Sequence, residues 1–107
     1  MQKIVDFLQR RGKLYKLIKE ILPKELGVRN KIKIYHAVDT RGYFTAIFVI
    51  SQKSRILLKD VGRLQSVYDK LVLYSDHNFK YKMIFIDAPL CSKAKRALKD
   101  LGWSVEV

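Results

Sequence analysis

Apolar residues recur at three- and four-residue steps at the start of the chain: Ile4, Phe7, Leu8, Leu14, Leu17, Ile18 and Ile21, with cations between them. That spacing predicts a basic amphipathic helix over residues 2–22. Pro23 stops it and Gly27 turns the chain; Gly12 gives the alternative of two shorter helices. From residue 31 the period changes. Ile32, Ile34 and His36 alternate with Lys31, Lys33 and Tyr35, which is strand behaviour. Asp39-Thr40-Arg41-Gly42 is a hairpin turn signal, and Tyr43 to Ile50 reads as a buried central strand, β-branched and aromatic throughout. Its faces divide into Phe48 and Ile50 on one side and Ile47 and Val49 on the other, with helices expected over both.

Helical spacing returns over residues 56–74, where Leu57, Val61, Leu64, Tyr68 and Leu71 form one stripe. A polar loop, Ser75 to Phe79, separates this helix from a short buried strand, Met83 to Ile86, closed by Asp87-Ala88-Pro89. Ser92 is the expected N-cap of a helix that turns Ala94, Ala97, Leu98 and Leu101 inward. Gly102 is its stop, and Trp103 to Val107 supply a last strand. The expected order is αββαβαβ, an α/β fold with a mixed central sheet flanked by helices. Residues 1–107 are expected to form a single domain: a basic helical arm over 1–23 and an αβ core over 31–107.

Charge then narrows the partners. The chain has 22 Lys+Arg against 10 Asp+Glu, a formal net charge of +12. The excess is uneven: Lys3, Arg10, Arg11, Lys13, Lys16, Lys19, Lys24, Arg29, Lys31 and Lys33 face only Asp6, Glu20 and Glu25 in the first 33 residues. A field of that size repels itself unless a polyanion neutralises it, so nucleic acid, DNA or RNA, is the expected partner. An acidic membrane surface approached by helix 2–22, an acidic protein and a merely well-solvated surface are the weaker readings. No apolar run nears the length that spans a bilayer, and the charged start does not resemble a secretory signal. Cys91 is the sole cysteine, which excludes an intramolecular disulfide and fits a reducing cytoplasm.

The element order resembles the restriction-endonuclease-like core of the PD-(D/E)XK nucleases. In that superfamily an aspartate near the start of the second core strand and an acid-x-lysine on the third hold a divalent metal at the scissile phosphate. Asp39 and Lys53 are the matching residues here; Gln65 and Tyr68 resemble the Gln-Tyr helix motif of RecB-like members. The tail from Met83 to Val107 is similar to the end of archaeal single-strand-specific nucleases of the superfamily. The resemblance implies Asp39 and Lys53 as catalytic residues and Asp39 with Asp87 as metal ligands, with Mg²⁺ needed only by an active nuclease. One departure is plain: no Asp or Glu occurs between Asp39 and Asp60, and Ser51-Gln52-Lys53 stands where the acid-x-lysine belongs. A hard cation wants anionic oxygens, so a scaffold with weak or lost catalysis is expected. Asp39 also has an ordinary reading, since aspartate side chains cap turns.

A second resemblance is to archaeal tRNA-splicing endonucleases, through Tyr35 to Gly42-Tyr43 (a Tyr-x6-Gly-Tyr signature) and the Ser66-Val67 to Lys70-Leu71 helix. It implies a non-catalytic subunit of such an assembly. The segment between the two motifs is too short for that family's intervening strands. A homodimer and a subunit of a larger nucleoprotein complex both remain open. The expected phosphate-backbone contacts, which position a nucleic acid without reading its sequence, are Arg41, Lys53, Arg55, Lys93, Lys95 and Arg96. Tyr43 is the aromatic placed to stack a base. Tyr35, Phe79, Tyr81 and Trp103 also lie beside cations and are read as either stacking or core residues. His36 and His77 lack a second ligand at metal spacing, and His77 is expected in a solvated loop. Cys91 has no recognisable base and is expected to be inert.

Overall fold

The computed structural model describes residues 15–27 and 32–106. Five strands form one sheet in the order β1-β2-β3-β4-β5: β1 Tyr15–Ile21, β2 Lys33–Asp39, β3 Phe44–Ser51, β4 Tyr81–Asp87 and β5 Trp103–Glu106. β1, β2 and β3 pair antiparallel, and β3, β4 and β5 pair parallel. The parallel pairs are joined by two helices, α1 Leu58–Ser75 and α2 Ser92–Asp100. A short 3-10 turn, Pro23–Leu26, follows β1, and Gly27 closes it with φ 72°, a left-handed conformation that glycine adopts without steric cost.

The mixed sheet and its two later helices match the expected α/β core, and β3 is central as its composition requires. The N-terminal expectation is corrected. Tyr15–Ile21 is a strand, not the second half of a helix, so the described core opens with β1 against the edge of β2. The pairing slips between Tyr15 and Leu17, a bulge that shifts the alternation by one residue. The helical spacing of Leu17, Ile18 and Ile21 has another origin: Ile18 and Ile21 pack on opposite faces of the sheet while Leu17 is exposed. Residues 2–14, the rest of the expected helix, lie outside the described residues.

Both described helices cover the same face of the sheet, where Ile34, Ala46, Phe48, Ile50, Ile84 and Ile86 meet Val61, Leu64, Val67 and Leu71 of α1 and Ala94 and Leu98 of α2. The opposite face carries a second buried cluster, Tyr35, Ala37, Ile47, Met83 and Phe85, with Ile18 and Val49 packed against it. Helices over both faces are therefore not found among the described residues. A smaller correction concerns α2: Cys91 takes the N-cap position and Ser92 is the first helical residue. Gly102, with φ 92°, sits just past the helix end as expected.

Candidate nucleic-acid interface

The site is built where β3 and β4 end. Ser51 lies opposite Asp87 in the parallel register, the Ser51 hydroxyl donates to Asp87 Oδ2 at 3.2 Å, and Gln52 N donates to the Asp87 carbonyl at 3.2 Å. The chain then bends. The Gln52 side-chain amide donates to the Ser54 carbonyl at 2.9 Å and its hydroxyl at 3.1 Å, which closes the bend around Lys53. It rejoins β4's extension through a single bridge, Ile56 to Leu90, with Ile56 N bonded to the Pro89 carbonyl and Cys91 N to the Ile56 carbonyl. Lys53 and Arg55 are thus exposed on a segment pinned at both ends.

The amino ends of α1 and α2 converge on this same end, because each helix starts just after a parallel strand finishes. Helix amino ends carry partial positive charge, and ligands of such sheets gather beyond the strands' carboxyl ends. An open cleft of about 490 Å³ is lined by Gln52, Ser54, Arg55, Leu57, Lys59, Asp60 and Arg63. Asp60 is committed locally: it accepts the Leu57 N–H at 2.8 Å as the α1 cap and pairs with Arg63 at 4.0 Å. α2 has no acidic residue in its first turn. Its exposed cations there are Lys93, Lys95 and Arg96. The Cys91 thiol is held below its ordinary range, first by the backbone N–H groups of Ala94 and Lys93 and then by the charges of Arg55 and Lys93. That influence ties the bend after β3 to the start of α2.

Not every expected residue comes here. Asp39 sits at the other end of β3, where its Oδ1 accepts the N–H groups of Arg41 and Tyr43, both at 2.9 Å. An eight-residue strand separates it from Ser51, so Asp39 stands roughly 25 Å from Lys53 and Asp87 at a rise of about 3.3 Å per residue. Asp39 therefore acts as a turn-former, and neither the Asp39–Lys53 catalytic pair nor the Asp39–Asp87 metal pair shares a site. No group of three His, Cys, Asp or Glu side chains is placed to hold a metal among the described residues. The described residues do not bring together the carboxylates that the Mg²⁺ chemistry of the resembled nucleases uses. Once β1 is counted, β2 is the second core strand and starts at Lys33, and β3 is the third and ends at Ser51; neither position offers an acid.

Arg41 and Tyr43 form a separate cluster at the hairpin end. Lys80 Nζ lies 3.7 Å from the Tyr43 ring centre and 5.8 Å from that of Tyr81. The Arg41 guanidinium lies 6.0 Å from Tyr43. Tyr35, Phe79 and Trp103 are buried and belong to the core. Gln65 and Tyr68 also serve packing: the Trp103 indole N–H donates to Gln65 Oε1 at 3.3 Å, and Tyr68 meets the Trp103 ring edge-on at 5.6 Å. They face β5, not the cleft. Lys82, on the same side, donates to the Leu101 carbonyl; burial pushes its ammonium below the ordinary lysine range.

Lys59 and Arg63 were absent from the expected contact set. Their four-residue spacing on α1 was visible, but which face of α1 borders the bend was not. The histidines hold the other surprise. His36 Nε2 and His77 Nε2 lie 2.9 Å apart, although 41 residues separate them, and His77, in the loop after α1 as expected, is half-buried. Burial lowers the His36 pKa below 6.5, with His77 and Lys19 adding to the shift. Below pH 6.5 the unfolded chain then binds more protons than the folded one. The stability tied to this ring is full above about pH 6.5 and is lost as pH falls through the lower folded-state value. Melting temperature should therefore fall between pH 7 and pH 5.5, and His36→Gln should flatten that part of the profile. Equal slopes in wild type and variant would contradict this account.

With the geometry in place, comparison with solved structures identifies the architecture. EndoMS in its apo form superposes on 98% of this chain with a TM-score of 0.56 at 15% identity. A repair endonuclease from Pyrococcus abyssi does so on 98% with a TM-score of 0.55 at 14% identity. The fold is that of restriction-endonuclease-like proteins. A third match, at a TM-score of 0.53 and 14% identity, is EndoMS in complex with double-stranded DNA. The chain spans less than half the length of these proteins, 44%, 45% and 42% of the respective chains. No family model matches the sequence, and no curated protein does. Among the described residues no helix is long and apolar enough to cross a membrane.

Proposed function

We propose that this chain binds the phosphate backbone of nucleic acid on a nuclease-like scaffold, without strong sequence specificity and with weak or no cleavage of its own. The observation that carries the reading is the convergence of Lys53, Arg55, Lys59, Arg63 and Lys93 on the one sheet end where two helix amino ends also meet. A phosphodiester is the ligand such an end takes: cations neutralise it, and the partial positive charge at the amino ends of the two helices adds to the attraction. None of these contacts would read base edges. The double-stranded DNA bound by a protein of the same fold supports the choice of polyanion. Weak catalysis follows from the donor set, because among the described residues Asp87 is the one carboxylate at the β3–β4 end that is not already capping a helix or turn.

The test is binding to labelled single- and double-stranded DNA and RNA, with and without Mg²⁺, at several salt concentrations. With about five phosphates contacted, log K should fall against log salt with a slope near −4.5 on duplex DNA and near −3.5 on single strands. A slope near zero would remove the electrostatic reading. Robust Mg²⁺-dependent cleavage that Asp87→Ala abolishes would make the protein an active nuclease instead.

A further inference from the structure

The His36–His77 pair lies at the hairpin end, away from the cation cleft, and the proposed function does not use it. Its geometry is specific. His77 Nδ1 lies 3.0 Å from the Asn78 carbonyl; a carbonyl only accepts, so Nδ1 carries the proton and Nε2 of the neutral ring presents a lone pair. This is how metal-binding imidazoles are prepared, with the second nitrogen bonded to a carbonyl that fixes tautomer and ring orientation. The His77 lone pair faces His36 Nε2 at 2.9 Å. Aromatic rings hold both imidazoles in place: Phe44 stacks on His77 at 3.9 Å, and Phe79 meets His77 at 4.8 Å and His36 at 5.3 Å.

We infer that His36 and His77 form a two-histidine site for a divalent transition metal of the zinc type, clamping the loop after α1 to strand β2. Tetrahedral zinc with metal–nitrogen bonds of about 2.0–2.1 Å needs its two nitrogens about 3.3 Å apart. The pair has to open by a few tenths of an ångström, and both rings have to turn so that their lone pairs converge on the metal instead of lying along the Nε2–Nε2 line. On binding, the proton that His36 Nε2 shares with His77 moves to His36 Nδ1, so two neutral imidazoles present two lone pairs and no proton is lost at neutral pH. Water fills the remaining positions, and imidazole ligands select zinc-class ions over Mg²⁺. The charges around the pair oppose a cation: Lys19 pairs with His36 across β1 and β2, and the chain carries +12 overall. Affinity is therefore modest.

The test uses Zn²⁺ alone on the intact chain. Calorimetry should find one zinc per chain, His77→Ala should weaken binding at least tenfold, and Cys91→Ser, which removes the only thiol, should leave it unchanged. These are the chain's only two histidines, so nitrogen NMR of the wild type reads both Nε2 atoms directly, without relying on a variant that folds. Both resonances should shift together and saturate at one equivalent, with no shift in Mg²⁺. Absence of saturable binding, a shift in only one ring, or loss of binding in Cys91→Ser would each overturn the assignment. Each can fail while salt-dependent nucleic-acid binding persists.

Discussion

Reversing charge at Lys53 and Arg55 together, to Glu at both, should weaken nucleic-acid binding on the order of a hundredfold near physiological salt, uniformly across sequences. Each lost phosphate contact removes about one unit of salt slope, so the double variant should lose about two. The reason is placement. Both residues ride on a bend held by the Gln52 side chain on one side and the Ile56–Leu90 bridge on the other, so little conformational entropy is lost when a phosphate docks. Arg41→Glu is the internal control, because its residue lies at the far end of β3. Neutralising Arg10, Arg11 and Lys13 is the second control and should cost less than the double reversal. If either control loses binding while the Lys53/Arg55 variant keeps it, the interface lies elsewhere and the β3–β4 end is only a solvated surface.

Truncating Phe48 to Ala should cost about 3–5 kcal/mol, enough to lower the melting temperature by roughly 15 °C or more in a domain of this size. Phe48 is 0% exposed on the central strand, its ring lies 4.9 Å from that of Trp103, and it belongs to the cluster that joins the sheet to both described helices. Neighbouring strands hold its backbone on both sides, so the cavity cannot collapse cheaply. Ile47→Val, on the opposite face, should cost about 0.5–1.5 kcal/mol, which separates loss of a keystone from loss of a methyl group. Thermal and denaturant melts measure both. An unchanged melting temperature in Phe48→Ala would mean that the helix-covered face is not the main core.

The two effects rest on different kinds of legibility. β3, β4, α1 and α2 could be read from the chain because their signal is local: unbroken β-branched runs, or apolar stripes at helical period. The mixed sheet then follows, since helix-connected strands must run parallel. β1 could not be read. Ile18 and Ile21 pack on opposite faces of the sheet and Leu17 is exposed, so no one-sided alternation shows, and only pairing with β2 selects strand over helix for those residues. The separation of Asp39 from Lys53 was legible after all, since an extended strand of eight residues between two positions is a spacer of roughly 25 Å. What the chain by itself determined is the charge, the central strands and the cations carried past the end of β3. Tertiary structure alone decided that Lys59 and Arg63 border that end, that Gln65 and Tyr68 turn to Trp103, and that His36 meets His77. Those are contacts between elements far apart in sequence, and which faces of a helix and a sheet oppose each other is settled only when the whole core packs.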